Sequence, residues 1–214
     1  MEPVEIEAKT LIQKSQTPSN DYVINPYTGC VLGRAYCFAS FASFAGRRFG
    51  RSVKEWGDYL YVKTNEVELA RKEPAKMPEE KRRGTMLLGS VTDPYQGHET
   101  KYRLTGGILR ELETVEYPGL VRILTKSPVV TRDIDLLTGL PRAEVGMTVT
   151  TTDDKVSRWL EVRAHSPPAA CAPWPNSKRR PAHLRLRRPA PAALRHPARA
   201  PGRPLRPTRG RGGQ

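Results

Sequence analysis

Two cysteines seven positions apart, Cys30 and Cys37, stand in the stretch TGCVLGRAYCF from Thr28 to Phe38, in the company of Gly29, Gly33, Arg34 and Tyr36. A thiolate is a strong ligand for soft metals. A close pair in a chain with only one further cysteine, Cys171, therefore points to metal or redox chemistry before a disulfide framework. A 4Fe-4S cube usually takes a thiolate on each of its four irons. Three cysteines spaced Cx3Cx2C on one tight loop hold three corners and leave the last iron open to a chelating substrate, as a catalytic zinc keeps an open position. Arg34 stands where the middle cysteine of that spacing falls. Its guanidinium is protonated at every physiological pH and offers donors but no lone pair, so it cannot ligate iron. The plainer reading of Cys30 and Cys37 is a pair of small core residues on one helix face.

Elements able to position such a loop run through the chain up to about residue 164. DYVINPYTG and YLYVKT read as extended, NEVELARKE as a helix with Asn65 as N-cap, and KEPAKMPEEKRRG as a polar connection. GTMLLGSVTD, GLVRILTKS and AEVGMTVTT then read as strands, separated by helices over LTGGILRELETVE and VTRDIDLLTGL and followed by a helix beginning at DDKVSRWLEV. The strands are near-continuous apolar runs, as expected when both faces of a parallel sheet are covered, and their spacing leaves room for βαβ crossovers. The expected class is α/β with a parallel sheet or barrel. Polar residues gather at the strand ends: Ser90, Thr92 and Asp93, then Lys126 and Ser127, then Thr150, Thr151 and Thr152. The three threonines double as an N-terminal cap for the helix at Asp153. His98, the one histidine before residue 165, reads as a loop residue.

The formal charge of +14 comes almost entirely from one segment. His165 to Gln214 holds 12 Lys and Arg, no acid and 11 of the 20 prolines, leaving 24 basic against 22 acidic residues before it. That segment has no Ile, Val, Phe, Tyr or Met, cannot offset the entropy of ordering, and is expected to be disordered. It reads either as an Arg/Pro-rich nucleic-acid-binding tail or as the product of a shifted reading frame, since the change of composition is abrupt and falls inside a helix. The expected organisation is an N-terminal extension over 1–20, a folded unit over 21–163 and a tail over 164–214. No apolar run approaches the ~18 residues of a spanning helix, the first residues carry no apolar leader, and the sparse cysteines fit a reduced, cytoplasmic setting.

The stretch INPYTGCVLGRAYCFASFAG resembles the cluster loop of radical S-adenosylmethionine (SAM) proteins, in the branch similar to spore photoproduct lyase, whose members read G-C-x-x-G-C-x-Y-C-Y after an NPY strand. Gly29, Cys30, Gly33, Tyr36 and Cys37 match, Phe38 is a mild variation, and Arg34 replaces the second cysteine. GTMLLGSVTDPYQ, RILTKSPVVTRDIDLL and VGMTVTTTDDKVSRWLEVRA are also similar to this branch, so the resemblance covers roughly residues 6 to 163. It implies a partial (β/α) barrel, here truncated, and a lyase-like enzyme that uses a 4Fe-4S cluster and SAM to form a 5′-deoxyadenosyl radical. It also implies an electron donor such as flavodoxin or ferredoxin. By the same resemblance Cys30 and Cys37 are metal ligands, while Tyr36, Ser90, Asp93, Lys126 and Thr151 are cofactor-binding, with Lys126 the cation for the SAM carboxylate. The Gly-Gly-Glu type motif that grips the SAM amine in many relatives is absent. The missing thiolate and the altered tail point to an impaired copy, to which a catalytically inactive homologue and a basic-tailed nucleic-acid-binding protein are the alternatives. The substrate is not readable.

Overall fold

The computed structural model describes residues 1–33, 36–42, 44–148, 151 and 153–161. Arg34, Thr150, Thr152, Cys171 and the expected tail lie outside the described residues. Eight strands are present: β1 Val4–Ile6, β2 Gln13–Lys14, β3 Tyr22–Ile24, β4 Tyr27–Thr28, β5 Tyr61–Lys63, β6 Met86–Leu88, β7 Val121–Thr125 and β8 Ala143–Met147. The helices are α1 Ala39–Ala42, α2 Phe44–Arg48, α3 Glu66–Lys76, α4 Glu79–Arg82, α5 Glu99–Tyr102, α6 Leu104–Thr114, α7 Ile134–Gly139 and α8 Asp154–Leu160. Among the described residues no helix is long and apolar enough to cross a membrane.

The larger sheet has the order β2-β3-β6-β7-β8, with β3, β6, β7 and β8 parallel and β2 antiparallel at the edge. Four of the five expected extended stretches, all but YLYVKT, therefore lie side by side in chain order, and the fold is mixed α/β. Their core comes from Ile24, Met86, Leu88, Val121, Ile123 and Val145, packed with Ile108, Leu109 and Leu112 of α6 and Leu137 of α7. A smaller sheet, β1-β5-β4, carries the YLYVKT stretch, and residues 1–20 supply an edge strand to each sheet.

Three local expectations change. Both faces of the sheet were expected to be covered, and β6 is buried throughout, but β7 alternates: Val121, Ile123 and Thr125 are buried while Leu124 is 45% exposed. Helices cover one face of β7, while on the other Arg122 bonds Glu144, Ser19 and Asn20 and Leu124 lines a cleft. Asn65 precedes α3 but does not cap it. Its Oδ1 accepts from Ala8 N at 2.8 Å and its Nδ2 donates to Ala8 O at 2.9 Å, so the amide is used to pin the N-terminal segment. The KEPAKMPEEKRRG stretch is not a plain connection. α3 runs on to Lys76 through Pro74, and α4 follows. Pro74 removes one backbone donor and crowds the carbonyl four residues back, and α3 ends two residues after it.

Candidate functional site

The carboxyl ends of parallel strands are where an open α/β sheet leaves a crevice, and here that crevice is assembled by side chains reaching across three connections. Asn25, just after β3, accepts from the backbone N–H of Ser90 at 2.9 Å and of Val91 at 3.1 Å, and its Nδ2 donates to Ser90 Oγ at 3.0 Å. One amide thus binds the end of β3 to the loop after β6. Gly89 starts that loop with φ +84, and a Cβ on it would collide with the Pro94 ring, so only glycine suits the turn. Gly29 opens the cysteine loop with φ +93, with the Tyr59 carbonyl oxygen where a Cβ would stand.

The cysteine loop hangs from the loop after β6. Thr92 Oγ1 donates to Gly29 O at 2.7 Å, Gln96 Nε2 donates to Thr92 Oγ1 at 3.1 Å, and Gln96 Oε1 accepts from Val31 N at 2.8 Å. The two cysteines lie on this irregular loop and on no helix, which removes the helix-face reading of the pair. Asp93 joins the next connection. Its Oδ1 accepts from Thr125 Oγ1 at 2.6 Å and Tyr95 N at 2.9 Å, and its Oδ2 from Lys126 N at 2.8 Å. Burial pushes the Asp93 carboxyl up from its ordinary value, against the pull of the Thr125 hydroxyl and the two backbone amides.

Between these pieces lies a cleft of about 330 Å³. Cys30, Cys37, Tyr36, Ser90, Asp93 and Lys126 all line it, so six of the seven expected site residues come together. Thr151 is not among the lining residues. Its Oγ1 accepts from Asp153 N at 3.1 Å, and Asp153 Oδ1 in turn accepts from Lys155 N and Val156 N at 2.8 and 3.0 Å, which makes this segment the cap of α8. Leu32, Phe38, Trp56 and Leu124 give the cleft an apolar wall, with Phe38 67% exposed at its edge.

Cys30 is 6% exposed, and burial, then the nearby Asp93 charge, push its thiol up to about 12. Such a thiol stays protonated at neutral pH unless a metal or another cation draws off its proton. Among the described residues no group of three or more His, Cys, Asp or Glu could hold a metal ion. At the opposite wall Lys126 Nζ pairs with Glu161 Oε1 at 3.1 Å, and the Tyr36 hydroxyl donates to the same Glu161 oxygen. Glu161, 8% exposed, is the residue that sequence reasoning missed. It sits in an ordinary helical stretch 125 residues from Tyr36, and nothing local marks it. Asn25 and Gln96 were missed for the same reason, although Asn25 belongs to the NPY stretch already singled out.

No family model matches the chain. It is 31% identical over 161 residues to an uncharacterized protein of Methanocaldococcus jannaschii, a match covering 75% of this chain and 56% of that protein. It is also 31% identical over 163 residues to an uncharacterized protein of Mycobacterium tuberculosis, covering 71% and 44%. The chain spans about half the length of the curated relatives it matches. Among solved structures it is similar to spore photoproduct lyase complexed with dinucleoside spore photoproduct, with a TM-score of 0.56 at 18% identity over 78% of this chain and 45% of that one. A mutant of that enzyme with bound AdoMet and dinucleoside spore photoproduct matches with a TM-score of 0.55 at 16% identity, over 78% of this chain and 44% of that one. At these identities the likeness establishes a shared fold.

Proposed function

We propose that the chain is a radical-SAM-type protein of the spore-photoproduct-lyase-like branch whose cleft takes SAM and whose iron–sulfur loop is one ligand short. In this reading residues 21–163 are a truncated (β/α) barrel in a cytoplasmic protein and 164–214 a tail outside it. The observation that carries the reading is the meeting of Lys126, Tyr36 and the Cys30–Cys37 loop in one cleft at the strand ends, with a carboxylate already seated on the Lys126 ammonium. Glu161 there stands in for a ligand carboxylate and fits the SAM methionine group as a partner for Lys126.

Each residue then has a task. Lys126 neutralises the ligand carboxylate by a charge-assisted contact. Asp93 is a positioning residue: through Lys126 N it fixes the backbone from which that side chain reaches. The Ser90 hydroxyl and the Tyr36 ring complete the polar and aromatic lining, and Leu32, Phe38 and Trp56 keep water from the apolar part of the ligand. Thr151 keeps a smaller part as a cap of the α8 segment.

A cluster fits less well than SAM does. Beside a complete 4Fe-4S cluster carrying one extra electron, SAM bound here would supply a 5′-deoxyadenosyl radical, with methionine as the other product. Two thiols do not make a three-point hold on a cube, and we assign this chain no radical step. An electron donor such as flavodoxin or ferredoxin belongs only to a loop that has been completed. The same shortage favours the second reading, a catalytically inactive homologue that keeps the cleft.

Equilibrium dialysis of labelled SAM against the full chain tests the proposal. Binding is expected for the unaltered protein and a loss of about tenfold or more for Lys126→Met, from one charge-assisted contact worth about 1.5–3 kcal/mol. Equal affinity in both proteins, or no binding in either, overturns it.

A further inference from the structure

If the cleft takes SAM as above, the contact between α8 and its far wall has a second meaning. α8 and the residue after it distribute their side chains against the usual partition. Trp159 is 79% exposed and Val156 42%, while Glu161 is 8% exposed. A surface helix normally buries its apolar residues and leaves its carboxylates in water, so among the described side chains the carboxylate is what this segment inserts. It sets it against Lys126 from the β7 connection and Tyr36 from the cysteine loop, two residues that line the cleft. The Lys126 backbone is held independently by Asp93, so removal of Glu161 leaves the lysine anchored where it is. The capping hydrogen bonds of Thr151 and Asp153 lie within the α8 segment itself, so displacing the Glu161 carboxylate breaks none of them.

We propose that Glu161 is an intramolecular placeholder: its carboxylate occupies the Lys126 subsite, and a carboxylate-bearing ligand binds by displacing it and releasing Tyr36 from it. The exchange is of like for like, one carboxylate for another, so no charge is left buried and unpaired at either stage. Such a contact lowers affinity by the fraction of molecules in which the subsite is open, and it selects ligands that bring their own carboxylate.

The test compares SAM with decarboxylated SAM, which keeps the adenosine, sulfonium and amine and lacks only the carboxylate. On the full chain, Glu161→Gln is expected to bind SAM about tenfold tighter, as for a subsite open in roughly a tenth of molecules, and decarboxylated SAM with unchanged affinity. Amide hydrogen exchange on the unaltered protein gives an arm that needs no variant: saturating SAM should speed exchange across Asp154–Leu160, and the decarboxylated analogue should not. Unchanged SAM affinity in the variant, an equal gain for both ligands, or α8 exchange that SAM leaves constant or slows overturns the placeholder while leaving the SAM cleft standing. Absence of SAM binding in every form overturns both.

Discussion

The two walls of the cleft are built to different standards. On the strand-end wall the polar groups are tied together: Asn25 spans β3 and the loop after β6, and Asp93 takes three hydrogen bonds, two of which lock that loop to the end of β7. On the cysteine wall the backbone is equally well hung, by Thr92 and Gln96, but the chemical groups it displays are two thiols, one fewer than the proposed cluster loop calls for. The hydrogen bonds that hang this loop, Thr92 to Gly29 O and Val31 N to Gln96, do not involve its sulfurs, so the loop keeps these supports whatever its thiols bind.

The contrast breaks first at Asp93. Asp93→Ala leaves the Thr125 hydroxyl and two backbone N–H groups without their acceptor, and should cost about 3–5 kcal/mol in urea unfolding. Asp93→Asn, which keeps an acceptor, should cost about half as much. A loss under about 1 kcal/mol for the alanine variant would mean that the wall is not locked as described. A smaller effect sharpens the other side. Cys30 is buried with its thiol pushed up to about 12, whereas Cys37 is partly exposed. At pH 8 Cys37 should be alkylated by iodoacetamide at least about tenfold faster than Cys30, because the thiolate is the reacting species and access limits it. Peptide mass spectrometry separates the two sites, and equal rates would show that Cys30 is not sequestered.

How much of this could be read from the residues depends on the range of the contacts. The four parallel strands were legible because β3, β6, β7 and β8 each carry their own apolar run between turn residues. Cys30, Cys37 and Tyr36 were legible as a spaced group, and Lys126 as a cation at a strand end. Leu124 misled: an apolar residue in a strand reads as core, and only the neighbours show that it lines a cleft. Glu161, Asn25 and Gln96 were silent because each acts through a partner at least 65 residues away. Asn65 had the right type and place for a helix cap, yet a distant backbone segment claimed its amide.

The most direct measurement restores the missing thiolate. Iron and sulfide are quantified after anaerobic reconstitution of the unaltered chain and of Arg34→Cys. Completion of Cx3Cx2C should bring the variant to about four irons per chain with broad visible absorption, as a 4Fe-4S cube requires, while the unaltered chain takes up clearly less. Equal iron in the two proteins would contradict a loop short of one ligand.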